Sequence, residues 1–157
     1  MNAVVRAKTT IERVRFTRAL GLEALPLLTA HWREIANNQA AIPLDPDWDF
    51  YEKMQAQDKL LCITARMGDD LVGYSVFLIT RHPHYVSTVF ASNDVIFVRE
   101  DLRASRLGLA LIRASEREAK ALGVRKLTWH VKFTNDVGQL LGKLGYNRDE
   151  LIMGKLL

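Results

Sequence analysis

A single cysteine among 157 residues excludes an internal disulfide. Its setting in the apolar run LLCIT points to a buried thiol, Cys62, in a reducing, cytoplasmic compartment. Long apolar runs are lacking too. Stretches such as Leu60 to Ile63 and Val76 to Thr80 fall far short of the ~20 residues that cross a bilayer, so no membrane span is expected. Met1 to Thr10 carries Arg6 and Lys8 but no apolar core of signal-peptide length, and nothing there directs secretion. With only 4 Pro and 9 Gly, and no repeat or biased tract, neither a disordered chain nor a solenoid fits. His82 and His84 have no further ligand spacing nearby, so no metal site is expected.

What is present is an ordinary globular composition, 48% hydrophobic and 25% charged, in a length that suits one domain over residues 1–157. The net charge of +4 favours anionic ligands, polyphosphates among them. The one dense basic cluster, Arg6, Lys8, Arg13, Arg15 and Arg18, lacks the interleaved aromatics of a single-strand groove, so no nucleic-acid partner is expected.

Apolar residues at three- and four-residue spacings predict a helix from Leu20 to Ile35, with His31 on its apolar face. Pro43 and Pro46 break the chain into a loop, after which Trp48 to Ala56 forms a second helix capped by Asp47, giving a lid-like insertion. Lys59 to Arg66 and Leu71 to Thr80 read as strands joined by the turn Met67 to Asp70. Pro83 interrupts the pattern before Val86 to Ala91 and Asn93 to Val98 resume it. From Ser105 to Leu122 the period becomes helical, and Gly123 stops it. Lys126 to Val131 is the next strand, parallel to Asn93–Val98 across the helix; Asp136 to Leu144 is a short helix, and Tyr146 to Leu157 a closing strand. The fold class is α/β in the α+β sense: a mixed, mostly antiparallel central sheet flanked by helices, with one parallel strand-helix-strand unit.

The join between Val98 and the helix near Ser105 is where an anion would sit, since a helix N-terminus offers unpaired amides and about half a positive charge. Gly108 permits close approach there, and Arg103 and Arg106 add cationic side chains. The segment VREDLRASRLGLALI resembles the coenzyme-binding motif of the Gcn5-related N-acetyltransferases, R/Q-x-x-G-x-G/A, with Arg103 first, Gly108 last, and Arg106 where the family has its first glycine. The element order, from the hairpin with Gly73 to the terminal LGY, follows the family as well. The spelling HPHY, SNDVIFV and HVKFTNDVGQLLGKLGY is similar to acetyltransferases encoded in tailed phages and prophages.

The resemblance implies an acetyl-coenzyme A-dependent N-acetyltransferase acting on a primary amine of a small molecule or protein. It implies contacts from Ile96, Phe97 and Val98 to the pantetheine arm, and pyrophosphate contacts from Ala104, Ser105, Arg106, Leu107, Gly108 and Leu109. Asn135 is a further coenzyme contact, one place from the family's usual asparagine. The family's proton-donating tyrosine falls on Leu141, which leaves the acid unassigned and a non-catalytic coenzyme A-binding module as the second reading. Asp94 is the first candidate for the base. His84 and Tyr85, with His82, form a titratable cluster in the preceding loop that offers a substitute proton source, and His130 at the end of the fifth strand another. An exposed terminal strand would offer pairing across a homodimer.

Overall fold

The stretches rich in β-branched and aromatic residues pair as one sheet in a computed structural model that describes residues 8–133 and 137–157. Its strands are β1 (Thr9–Val14), β2 (Leu60–Met67), β3 (Asp70–His82), β4 (Tyr85–Val98) and β5 (Lys126–Thr128), adjacent in chain order. The helices are α1 (Arg18–Ile35), α2 (Trp48–Ala56), α3 (Leu107–Ala121) and α4 (Val137–Lys143), and a 3-10 turn at Glu100–Leu102 precedes α3. Strands β1 to β4 are antiparallel; β4 and β5, joined through α3, are parallel.

Two apolar faces sandwich the sheet. On one, Leu107, Leu111 and Ala114 of α3 meet Leu61, Ile63, Val72, Phe77 and Val98. On the other, Leu20 of α1 and Tyr51 and Met54 of α2 cover Cys62, Val76 and Val95. The helix ends follow the expected chemistry. Thr17 accepts from the Leu20 amide at 3.2 Å to start α1, and Asp47 accepts from Phe50 at 2.9 Å to start α2. Gly123, at φ +76°, adopts the left-handed conformation that ends α3.

The expected boundaries shift in three places. TTIERV at the N-terminus, read only as part of a basic cluster, is a strand and pairs Thr9 to Val14 with Met67 to Cys62. The strand expected over Val86 to Ala91 and Asn93 to Val98 forms as β4 and starts one residue earlier, at Tyr85. The closing strand from Tyr146 to Leu157 does not form: no strand is assigned there, and Leu151, Ile152, Met153 and Leu157 are exposed. Its neighbour β5 pairs through only three residues, too short a ladder to template another strand.

Candidate functional site

Two polar residues inside an apolar strand set the site. Val76 of β3 pairs with Val95, but the next residue, Phe77, pairs with Asn93, so Asp94 is the extra residue of a β-bulge. Asn93 is 2% exposed, and its side-chain amide donates to the carbonyls of Val76 at 3.2 Å and Val95 at 3.0 Å. Those bonds satisfy backbone acceptors where the bulge interrupts the ladder, and Asp94 is left exposed. The parallel pairing of β4 with β5 covers only Phe90–Ser92 against Lys126–Thr128, so among the described residues the two strands part company at the bulge.

Beyond it, β4 keeps one partner. The Arg99 amide donates to Val72 at 2.9 Å, which makes Gly73 and Val98 a non-hydrogen-bonded pair. Alternation then turns the N–H and C=O of Ile96 and Val98 away from β3, toward the gap, while those of Phe97 bond to Tyr74 in the ladder. Of the three predicted main-chain contacts, Ile96 and Val98 present polar groups to the gap; Phe97 does not.

At the end of β4 the chain turns into α3. Ser105 donates to the Leu102 carbonyl at 2.5 Å and accepts from the Leu107 amide at 3.2 Å, and its own amide donates to Leu102 at 3.0 Å. The amides of Ala104, Arg106, Gly108 and Leu109 have no acceptor among the described residues, which leaves a cluster of donors at the positive end of α3. A Cβ built on Gly108 would meet nothing within 4 Å among the described residues beyond its chain neighbours and its own helix backbone, so the space beside Gly108 is open. Arg106, exposed at the N-cap, makes no side-chain capping bond. Arg103 is committed elsewhere: it pairs with Glu34 at 2.8 Å, donates through Nε to the Val98 carbonyl at 3.0 Å, and lies 5.0 Å above the Phe97 ring. It ties α1 to the end of β4 instead of standing free as an anion ligand.

On the α1–α2 side, Tyr51 donates its hydroxyl to Asp94 Oδ2 at 2.5 Å. Burial, and then the Asp94 charge, push the Tyr51 phenol far above its ordinary range. A cleft of about 460 Å³ runs from the α1–α2 loop, with Trp32, Ile42, Leu44 and Asp45, past Tyr51 and Val95 to Lys132 beyond β5. A smaller apolar cavity of about 50 Å³, walled by Trp48, Cys62, Tyr74 and Val76, shares Tyr51 and Val95 with it. Tyr74 is 4% exposed with no partner for its hydroxyl among the described residues, and burial ahead of the Asp94 charge raises its phenol too. His31, 8% exposed, stacks on Phe97 at 4.9 Å; burial holds its imidazole below the usual value, the nearby Arg103 adding to this and Glu34 opposing it.

The other expected residues are spread more widely. His82, His84 and Tyr85 cluster with Phe90 at the tip of the β3–β4 hairpin. On β3, His82 stands opposite Tyr85 and Val76 opposite Val95, so about six residues of strand, about 20 Å at ~3.3 Å each, keep the cluster from the bulge. His130 is exposed just past β5, two residues before the cleft residue Lys132. Asn135 lies outside the described residues. Leu141 is 4% exposed, in the core. Tyr146 of the LGY sequence donates to Glu116 at 3.0 Å, and burial pushes its phenol up to about 12.

Sequence reasoning missed Tyr51, Tyr74 and His31 as site residues. The adjacent Asn93 and Asp94 in an otherwise apolar strand were a usable signal for the bulge; nothing local marked the tyrosine that bonds to it.

A model of the acetyltransferase (GNAT) family matches residues 27–146. No curated protein matches the sequence. An aminoglycoside acetyltransferase from an uncultured soil metagenomic sample, solved in complex with sisomicin, superposes with a TM-score of 0.73 at 15% identity, covering 95% of this chain and 96% of that one. Ribosomal-protein-alanine N-acetyltransferase from Brucella melitensis biovar Abortus 2308 does so with a TM-score of 0.67 at 19% identity, covering 96% and 99%. An acetyltransferase from Trypanosoma brucei gives 0.71 at 16%, covering 96% and 100%. At these identities the likeness is one of fold.

Proposed function

Since the chain belongs to the acetyltransferase (GNAT) family, we propose that it is an acetyl-CoA-dependent N-acetyltransferase, one domain over residues 1–157, that moves the acetyl group directly to a primary amine. Acetyl-CoA supplies the acetyl group as an activated thioester. The observation that carries this reading is the continuity of the gap: the free edge of β4 at Ile96 and Val98 leads straight to the unpaired amides of Ala104, Arg106, Gly108 and Leu109. An extended chain of amides suits the first and a pyrophosphate the second.

In this reading the Val98 or Ile96 amide is the donor for charge developing on the thioester oxygen. Asp94, at the head of the gap, takes the proton from the acceptor ammonium, directly or through water, and the 460 Å³ cleft holds the acceptor's body. His130 is the second candidate for that proton. The hairpin cluster of His84 and Tyr85 is not part of this mechanism. Arg106 is the loop's cation toward the phosphates, and Asn135 is retained as a coenzyme contact. The acceptor is a small molecule or a protein, the compartment cytoplasmic, and the exposed apolar tail at Leu151 to Leu157 a surface for a second copy. The likeness to phage-encoded members stays part of this reading.

The buried Leu141, where the family has its proton-donating tyrosine, favours one alternative: a module that binds coenzyme A without catalysis. Thiol release from acetyl-CoA separates the two, measured over an alanine-terminated peptide, lysine, tryptamine, spermidine and kanamycin. Turnover on at least one amine, reduced about 10²-fold or more by Asp94→Asn, is expected of the enzyme. Coenzyme binding with no turnover on any amine would establish the module instead.

A further inference from the structure

A base must lie within about 2.6–3.2 Å of the proton it removes, so the direction in which its carboxylate is held matters as much as its presence. Asp94 is an exposed bulge residue, and a carboxylate there has several staggered rotamers open to it. One bond restricts it. The Tyr51 hydroxyl donates to Oδ2 at 2.5 Å, and Oδ1 has no partner among the described residues.

Tyr51 is itself fixed. Its ring packs against Phe16 at 5.3 Å, edge-on to Phe50 at 5.8 Å, and against Trp48 at 6.2 Å. Helix α2 is anchored to the start of α1 by Arg18, which pairs with Asp49 and with Glu52, the latter at 3.0 Å. Near its end, Gln55 accepts from the Phe16 amide at 2.7 Å. The phenol is therefore held in place before any ligand arrives, and the bond to Asp94 orders little that was free. Its proton is secure too: burial and the Asp94 charge both oppose ionisation, so Tyr51 donates throughout the working pH range. Tyr74 does not substitute for it, since its hydroxyl has no partner among the described residues.

Resting on Asp94 as the base, we propose that Tyr51 is a positioning residue for it: the hydroxyl locks Oδ2 and leaves Oδ1 for the acceptor ammonium. Because Tyr51 also lines the 460 Å³ cleft, the same side chain aligns the base and borders the acceptor. The other titratable and charged groups near Asp94 are His31 from α1 and Tyr74 from β3, with Lys132 across the cleft.

The test is a double-mutant cycle of Tyr51→Phe and Asp94→Asn, read as thiol release from acetyl-CoA with whichever amine of the five-member panel turns over best. Tyr51→Phe is expected to lower kcat about tenfold with the KM for acetyl-CoA unchanged. In the Asp94→Asn background the same substitution should add no further loss. His84→Ala, at the hairpin tip, serves as the control, retaining the wild-type response to Tyr51→Phe. An equal loss in both backgrounds would make Tyr51 structural only and overturn the proposal. So would a wild-type kcat in Tyr51→Phe while Asp94→Asn is impaired. If Asp94→Asn matched the wild type, the assignment of the base would fail first and this inference with it.

Discussion

Gly73→Ala, a change of one methyl group, tests the packing that shapes the coenzyme strand. Gly73 sits in β3 opposite Val98, and a Cβ built on it would lie 2.9 Å from the Phe97 carbonyl oxygen, 3.2 Å from Leu111 Cδ1 and 3.6 Å from the Ala65 Cβ. A leucine methyl can give way, but the carbonyl cannot move without carrying β4 with it. Glycine inside a strand is worth about 0.5–1 kcal/mol less than alanine, so with free space the change would stabilise. Overpacking of this kind costs about 1–3 kcal/mol, which leaves a net loss of about 1–2 kcal/mol. For a chain of this length that is a fall in Tm of about 2–8 °C. Thermal denaturation followed by circular dichroism reads it, with Gly108→Ala as the counterpart. There no heavy atom lies within 4 Å and the first turn of α3 favours alanine, so stability should hold or rise by up to about 1 kcal/mol. Coenzyme affinity should fall in both, in Gly73→Ala because β4 shifts and in Gly108→Ala because the methyl enters the space before the unpaired amides. Gly73→Ala as stable as the wild type, or Gly108→Ala destabilised, would refute the reasoning.

Cys62 is 3% exposed and its burial pushes the thiol up to about 12, so the thiolate at pH 8 is roughly one part in ten thousand; a disulfide reagent should leave it untouched until the chain unfolds. His31 is favoured neutral in the folded state, so the stability it contributes is fully present above the unfolded value of about 6.5 and is lost as pH falls below it. Tm measured from pH 7.5 down to pH 5 should therefore drop less in His31→Gln than in the wild type; equal slopes would contradict the assignment. Combined His82→Ala, His84→Ala and Tyr85→Phe substitutions should leave thiol release unchanged, because the hairpin tip lies about 20 Å from the bulge, and a large loss of kcat would put the cluster back in the site.

Much of the fold was legible where the governing contacts are local. Asp47 capping α2, the β2–β3 turn, and Gly123 ending α3 each follow from a few neighbouring residues. The strand running through Ser92 and Asn93 was legible, but its bulge was not, because periodicity alone does not show a register shift whose side-chain amide bonds the flanking carbonyls. KLTWHV has a strand's composition, yet only Lys126–Thr128 finds a partner, since the bulge carries β4 away. Arg103 had a phosphate ligand's position in the motif; its actual partner, Glu34, stands 69 residues earlier and is visible only once α1 is packed against β4. Tyr51 was hidden for the same reason, its role fixed by Asp94 from 43 residues away.

A crystal structure of the chain with acetyl-CoA bound tests the central claim most directly. The account predicts the pantetheine arm against Ile96 and Val98 in the gap between β4 and β5. The pyrophosphate should lie on the amides of Ala104, Arg106, Gly108 and Leu109, with the thioester beside Asp94. Coenzyme bound away from β4, or a pyrophosphate that does not meet the N-terminus of α3, would contradict it.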